Sequence, residues 1–432
     1  SEPFMQNAEW LTLGKLRVGW GQLGNNRIDE MSRYTLLNTQ YNYPFGIGNH
    51  TLYPGTTASS IGNKNIRWEK TETYNVGLDL GFFRNSLTVG VELFNKLTTD
   101  MLLRVPVTLS AGLDYAPMSN AGSVRNQGAE LTINHKNNIG KFKYEVGFNV
   151  SYIKNKVISL GTGNEPIYGG WLSEAGIVDF TTKTAVGLPI GSFYGYVTDG
   201  IFQSYEEVKV SAQYEYGKND ADQLTRPGDF RFVDLNEDGR ITADDRTIIG
   251  SPHPDFVFGI PLSCSYGNID LNLFFQGQTG NKIFNVMDYY LNNAAEGNLY
   301  ADLREKHWSG QLTADRSFFP LNLNATVPDL RSSNLARNFR ASDFFMKDGS
   351  YIRLQELRLT YNFDEKLVSK IGVSMLSVTL GANNLLTFTR YNGFDPEVGK
   401  VVGTEGNNLN LGVDHGNYPQ ARTFTFGIKM TL

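Results

Sequence analysis

Strict two-residue alternation constrains this chain more than any other feature. In RTFTFGIKMTL, Phe424, Phe426, Ile428, Met430 and Leu432 are separated by Thr425, Gly427, Lys429 and Thr431. Successive side chains of an extended strand point to opposite faces, so this segment has one apolar and one polar face. TYNVGLDLGF repeats the pattern with Tyr74, Val76, Leu78, Leu80 and Phe82, and FKYEVGFNVSY with Phe142, Tyr144, Val146, Phe148, Val150 and Tyr152. DFVFGIPLSCSYG and IDLNLFFQG follow suit near 255–277. About ten such strands are expected, near 13–22, 68–82, 86–102, 121–137, 142–158, 255–267, 269–284, 351–363, 374–389 and 422–432.

Alternation by itself fits a soluble β-sandwich or propeller as well as a membrane barrel. Three features favour the membrane. The expected strands reach about twelve residues or more, beyond the usual five or six. Their connections alternate in length: short at FRN, NNIG, YGN and DEKLVSKIG, long near 23–67, 103–120, 159–254, 285–350 and 390–421. Aromatic residues (Tyr152, Tyr266, Tyr351, Tyr361, Phe388) flank strand ends, as an interfacial girdle would. The fold expected is therefore all-β: a transmembrane antiparallel β-barrel with short periplasmic turns and long extracellular loops. On this reading the closing alternation persists because the last strand belongs to the wall. The faces carrying Phe424, Ile428, Val146 and Leu78 should then be free of protein packing.

Composition agrees once the barrel is considered. A mean hydropathy of -0.31 looks like a soluble globule, and there is no apolar run near the roughly 18 to 20 residues of a membrane helix. A barrel strand needs only about 10 residues with every second one apolar, so it averages out as polar. The 45 Gly, 22 Tyr and 27 Phe favour strands and turns over helices. A net charge of -5 argues against a nucleic-acid partner held by phosphate neutralisation. Cys264 stands alone, which excludes an intrachain disulfide and a thiolate metal cluster. SEPFMQNAEW lacks the basic start and apolar run of a signal peptide, so the expectation is a removed leader or a start inside a longer protein. Within 159–254, the segments 191–204 and 228–234 read either as a hairpin in the loop or as two further wall strands. Segment 281–308 reads as partly helical, with Phe284, Met287 and Leu291 at helical spacing.

The sharpest chemical motif is DLNEDGRITADD. Against a twelve-residue calcium loop, Asp234, Asn236 and Asp238 take positions one, three and five, Gly239 makes the turn, Arg240 offers its carbonyl and Asp245 closes the site. Hard oxygen donors at alternate residues suit Ca²⁺, because the turn folds them around one ion. The closing residue is Asp rather than Glu, and the alternative is an Asx-rich turn without an ion. With no paired loop in view, the expected role of the ion is structural: pinning an external loop. Catalytic constellations are weak. His50, His135, His253, His307 and His415 are scattered without a ligand spacing. Acidic pairs such as Asp244 and Asp245 read as solvated loop residues rather than a glycosidase dyad. No enzymatic activity is expected. Tyr168 and Trp171, in IYGGWLSEAG, are weak candidates for stacking on a substrate, with packing under a loop as the alternative.

Several blocks resemble one family. PGDFRFVDLNEDGRITADDRTIIGSPHPDFVFGI, WEKTETYNVGLDLGFFRNSLTVGVELFNKLTTDML, NAGSVRNQGAELTI, DGSYIRLQELRLTYNF, LGANNLLTFTRYNGFDPEVG and ARTFTFGIKMTL are similar, in order, to blocks of SusC/RagA-type TonB-dependent outer-membrane transporters of Bacteroidetes-like bacteria. The resemblance implies a 22-stranded barrel around an N-terminal plug, energised through TonB and capped by a SusD-like surface lipoprotein that helps capture oligosaccharides or peptides. This chain resembles the C-terminal part of such a barrel, about 10–12 strands over 1–432, with 159–254 as an extracellular excursion containing the loop 234–245. The plug is absent from these residues, and Leu432 replaces the family's usual final aromatic. Half a barrel leaves unpaired strand edges in lipid, so the remaining barrel and plug are expected as a partner or as upstream sequence. The other readings are a passive porin and a secreted, calcium-stabilised β-domain that binds or cleaves polysaccharide.

Overall fold

The computed structural model describes residues 10–26, 30–45, 51–104, 112–113, 117–161, 164–174, 177–214, 225–292, 298–312, 318–330, 338–399 and 407–432. They group into two units: 1–137 with 145–167 and 185–189, and 138–144 with 168–184 and 190–432.

The first unit is built on long strands: β1 (Leu11–Asn25), β2 (Glu69–Phe82), β3 (Leu87–Arg104), β4 (Met118–Ile139) and β5 (Phe142–Ser159). They lie side by side in chain order, and the register shows why. Leu16, Leu78, Val91 and Leu131 pair in one row across β1 to β4, and the next row holds Arg17, Gly77, Glu92 and Glu130. Val18, Val76, Leu93 and Ala129 make the following apolar row. A one-residue slip would put every apolar side chain on the wrong face, so the alternation itself fixes the pairing. Phe83, Arg84 and Asn85 turn β2 into β3 with φ of 51, 58 and 61. On the polar face, Arg17 meets Asp79 (Nε to Oδ2, 2.8 Å) and Glu92 (Nη1 to Oε2, 2.9 Å). The long link between β1 and β2 contains a hairpin of its own, Leu36–Phe45 paired with Thr51–Ser60. Sequence periodicity is weak there, because Pro44 and Pro54 interrupt it.

In the second unit β6 (Phe256–Tyr266), β7 (Ile269–Thr279), β8 (Tyr351–Asn362), β9 (Met375–Thr389) and β10 (Thr423–Thr431) form the same kind of meander. Cys264, Leu271, Leu359, Leu380 and Phe426 make one row, and Ser263, Asn272, Arg358, Gly381 and Thr425 the next. The apolar row is not a core: Leu380 is 50% exposed and Phe426 66%. Phe424, Ile428 and Leu78 are likewise exposed and Val146 is half-buried, as a face made for hydrocarbon requires. Among the described residues β10 has a strand neighbour on one side only, β9.

The expected strand 269–284 is shorter than its periodicity suggests. Gly280, at φ 93, breaks it after Thr279, and Lys282–Asn285 starts a separate short strand. Phe284 therefore does not belong to the helical face expected for 281–308: Asn285 caps a helix at Val286–Leu291 by accepting from the Met287 and Asp288 N–H groups, and a second helix follows at Leu303–Lys306. The segments 191–204 and 228–234 are not long strands. Ser192–Gly195 joins a four-stranded sheet, and Thr198–Ile201 pairs with Phe230–Phe232.

These links carry the dry interior of the second unit. One cluster gathers Leu172, Phe193, Phe284, Val286, Tyr289, Phe339, Ala341, Phe345 and Val413. Another gathers Tyr196, Ile201, Phe230, Phe232, Ile241 and Trp308. The burial pattern thus inverts that of a soluble β-protein: the connections pack a core while the long strands expose their apolar faces.

Candidate functional site

The loop 234–245 folds around its own amides. Glu237 (φ 59) and Gly239 (φ 81) adopt left-handed backbone, which turns the N–H groups of 238–240 inward. Asp234 accepts from the Gly239 N–H at 2.8 Å and the Asp238 N–H at 3.3 Å, Asn236 Oδ1 from the Asp238 N–H at 3.0 Å, and Asp238 Oδ1 from the Arg240 N–H at 2.8 Å. Asp245 is fully buried: Oδ1 takes the Leu235 N–H at 2.9 Å and Oδ2 the Thr242 N–H at 2.7 Å, completing a reciprocal cap with Thr242. Arg240 leads into the short strand Arg240–Ile241, whose Ile241 sinks into the Trp308 cluster. By type and spacing the donors suit a hard cation, and the carboxylate oxygens of Asp234 and Asp238 and Oδ1 of Asp245 each accept a single hydrogen bond, which leaves a second lone pair, whereas Asp245 Oδ2 accepts from both the N–H and the hydroxyl of Thr242. The loop's closure nevertheless rests on hydrogen bonds that need no ion, and among the described residues no three His, Cys, Asp or Glu side chains are grouped as a metal site.

Immediately after Asp245 the chain enters the four-stranded sheet, ordered Thr247–Gly250, Ser192–Gly195, Ile177–Thr184, Ile167–Glu174. Alternation divides this sheet too. Phe193 and Thr182 pair and are buried, with Phe193 in the first cluster, while Tyr194 pairs with Ile248 and Lys183 with Ser192. Arg246 is nearly buried. Its Nη1 meets Asp179 Oδ1 at 2.8 Å, its Nη2 donates to the Phe180 carbonyl at 2.5 Å, and its guanidinium lies 4.6 Å from the centre of the Tyr194 ring. Burial pushes the Tyr194 phenol up, against the pull of Arg246. Lys183 Nζ lies 4.6 Å from the Tyr194 ring centre and 5.7 Å from that of Tyr168. Tyr168, 38% exposed, also packs on Phe180 with centroids 5.4 Å apart.

Of the two stacking candidates, Tyr168 is thus an exposed ring beside a cation. Trp171 lies on the strand Ile167–Glu174, and its side chain is outside the described residues. Sequence reading missed Lys183, Tyr194 and Arg246. The alternation of Lys183 and Tyr194 along their strands was visible, but strand pairing across about fifty residues, from Gly195 to Thr247, was not.

Comparison with known proteins agrees with this architecture. A model of the family "TonB dependent receptor-like, beta-barrel" matches residues 6–248. TonB-dependent receptor P3 of Formosa agariphila is 32% identical over 99% of this chain and 40% of its own length. TonB-dependent receptor SusC of Bacteroides thetaiotaomicron is 26% identical over 99% of this chain and 38% of its own. Among solved structures, one titled "Structure of the RagAB peptide transporter" superposes with a TM-score of 0.73 at 25% identity, over 99% of this chain and 42% of that one. The chain spans about two fifths of the length of the relatives it matches. The resemblance carried by its sequence blocks and the all-β fold expected from its alternation are both found here. With more than half of its residues matched, the chain belongs to the TonB-dependent receptor-like β-barrel family of the bacterial outer membrane.

Proposed function

We propose that this chain forms part of the wall and outer vestibule of an energy-coupled importer of oligosaccharides or peptides. The observation that carries the reading is the paired rows: apolar side chains aligned and exposed across the long strands, polar ones aligned on the opposite face. A wall of this kind meets hydrocarbon on one side and an aqueous passage on the other. SusC and RagAB support import as the task. The partners we propose are the remaining barrel strands and plug, TonB acting through the plug, and a SusD-like lipoprotein over the loops of 159–254 and 285–350. The chain contributes passage and capture rather than covalent chemistry.

Uptake of a labelled oligomer by cells carrying the receptor tests the reading. Energised import should stop when a protonophore collapses the proton-motive force, whereas a passive porin would continue. Recovery of the chain in the soluble secreted fraction would overturn both transport readings.

The wall itself predicts a face-specific penalty. Phe426→Arg, near the middle of β10 on the apolar face, should cost about 2–4 kcal/mol of membrane folding. Thr425→Arg, one residue away on the polar face, should cost far less. The folded fraction in lipid vesicles, read from heat-modifiable mobility, separates the two.

For the loop 234–245 we propose a structural Ca²⁺, held by Asp234, Asn236, Asp238, the Arg240 carbonyl and Asp245. Its support is the spacing of the donors and the left-handed turn at 237–239. Asp234→Ala combined with Asp238→Ala should remove one bound Ca²⁺ per chain, measured by elemental analysis of the purified protein. Equal metal content in both forms rejects the ion and leaves an Asx-stabilised turn.

A further inference from the structure

Lys183 has an unusual setting. The residue is half-buried, and its ammonium lies against the rings of Tyr194 and Tyr168. Among the described residues no carboxylate lies within ion-pair distance of it, although Asp179 on the same strand is close enough to pair with Arg246. Ring faces attract a cation without neutralising it. Around it Arg246 is paired with Asp179, and the Asp244 carboxylate acts on the Tyr194 phenol without pairing directly with Lys183, so the Lys183 ammonium is the cation of this group left without a direct carboxylate partner among the described residues. That charge is held in place: Ser192 pairs opposite Lys183, Tyr194 is pinned from the other side by Arg246, and the reverse face of the sheet is buried on Phe193. Tyr168 beside it exposes part of its ring.

Resting on the importer reading, we propose that Lys183 and Tyr168 form a subsite for an acidic sugar residue: the carboxylate of a hexuronate pairs with Lys183 while the apolar face of its ring packs on Tyr168. One ligand residue uses both features, which a neutral sugar cannot. A peptide terminus suits the place less well, because capture of a terminal carboxylate calls for several converging backbone N–H groups, and those of Lys183 and Ser192 lie in paired strands. Arg246 is a positioning residue here, acting through Tyr194.

The test is isothermal titration of the purified, detergent-solubilised receptor with tetragalacturonate, with a neutral tetrasaccharide and with tetraglutamate. Tetragalacturonate should bind about tenfold more tightly than the neutral tetramer, the value of one charge-assisted contact. Lys183→Met should abolish that advantage, and Lys183→Arg should largely restore it. Tyr168→Leu should weaken tetragalacturonate severalfold. Equal affinity for acidic and neutral sugars, an unaffected Lys183→Met, tetraglutamate binding as tightly through Lys183, or no binding of any oligomer would each overturn the subsite. Outer-membrane fractionation and protonophore-sensitive uptake, run in parallel, judge the importer reading separately: the subsite can fail while both of those hold.

Discussion

Trp308→Ala is expected to lower the stability of the second unit by about 3–5 kcal/mol, the cost of emptying a large aromatic site in a packed core. Trp308 is fully buried among Tyr196, Ile201, Phe230, Phe232 and Ile241, residues drawn from three separate stretches of the links, 196–201, 230–232 and 241. Its indole Nε1–H donates to Gln203 Oε1 at 3.0 Å and its backbone N–H to the Val327 carbonyl at 2.8 Å. The surroundings are shaped to it. A Cβ at Gly228, which sits at φ 95, would come within 2.5 Å of the indole, and one at Gly310 within 2.3 Å. Neither glycine can grow to refill the space, so the cavity persists and Gln203 loses its partner. Trp308→Phe, which keeps most of the volume but not the N–H, should cost roughly half as much. Thermal unfolding followed by fluorescence of the remaining tryptophans, with limited proteolysis of 196–345, reads both. Ile241 connects this core to the loop 234–245, so the alanine variant should also weaken any Ca²⁺ held there. A cleavage pattern unchanged by Trp308→Ala would show that the links do not depend on this cluster.

The long strands were legible in the sequence because membrane burial writes itself at period two. Nine of the ten lie close to their expected bounds, the strand expected over 269–284 stops at Thr279, and the pairing rows, such as Leu271, Leu359, Leu380 and Phe426, follow from alternation plus chain order. The links were legible only in part. DLNEDGRITADD announces its turn locally, since Glu237, Gly239 and the Asx acceptors all act within a few residues. The platform around Lys183 does not. It unites 168, 179, 183, 194 and 246 through pairings of strands only four to eight residues long, and nothing local specifies which short strands meet. Phe284 misled for a related reason: helical spacing to Met287 and Leu291 was real, but Asn285 begins the helix one residue too late to include it. The hairpin of Leu36–Phe45 and Thr51–Ser60 was hidden by prolines that its irregular register tolerates.

A buried ion pair supplies the second large effect. Arg353 on β8 is 2% exposed, and its Nη2 meets Asp395 Oδ1 at 2.6 Å, its Nη1 Glu397 Oε2 at 2.8 Å and its Nε–H the Thr387 hydroxyl at 3.0 Å. Asp395 in turn accepts from the Glu397 and Gln420 N–H groups, so one guanidinium ties the link after β9 to the strand beside it. Taking a charge out of water is repaid only while its partner stays in place. Asp395→Ala leaves Arg353 buried beside Glu397, whose side chain is 43% exposed and therefore screened. The expected loss is about 3–5 kcal/mol. Glu397→Ala, which leaves the Asp395 contact intact, should cost less than about 1 kcal/mol. Removing both charges together, as Arg353→Met with Asp395→Leu, should recover much of the loss, since no buried charge is then left unpaired. The order of thermal midpoints is accordingly Glu397→Ala above the double variant and the double variant above Asp395→Ala. If Asp395→Ala and Glu397→Ala melt together, the guanidinium is hydrated in solution, and the link after β9 is held by its backbone contacts instead.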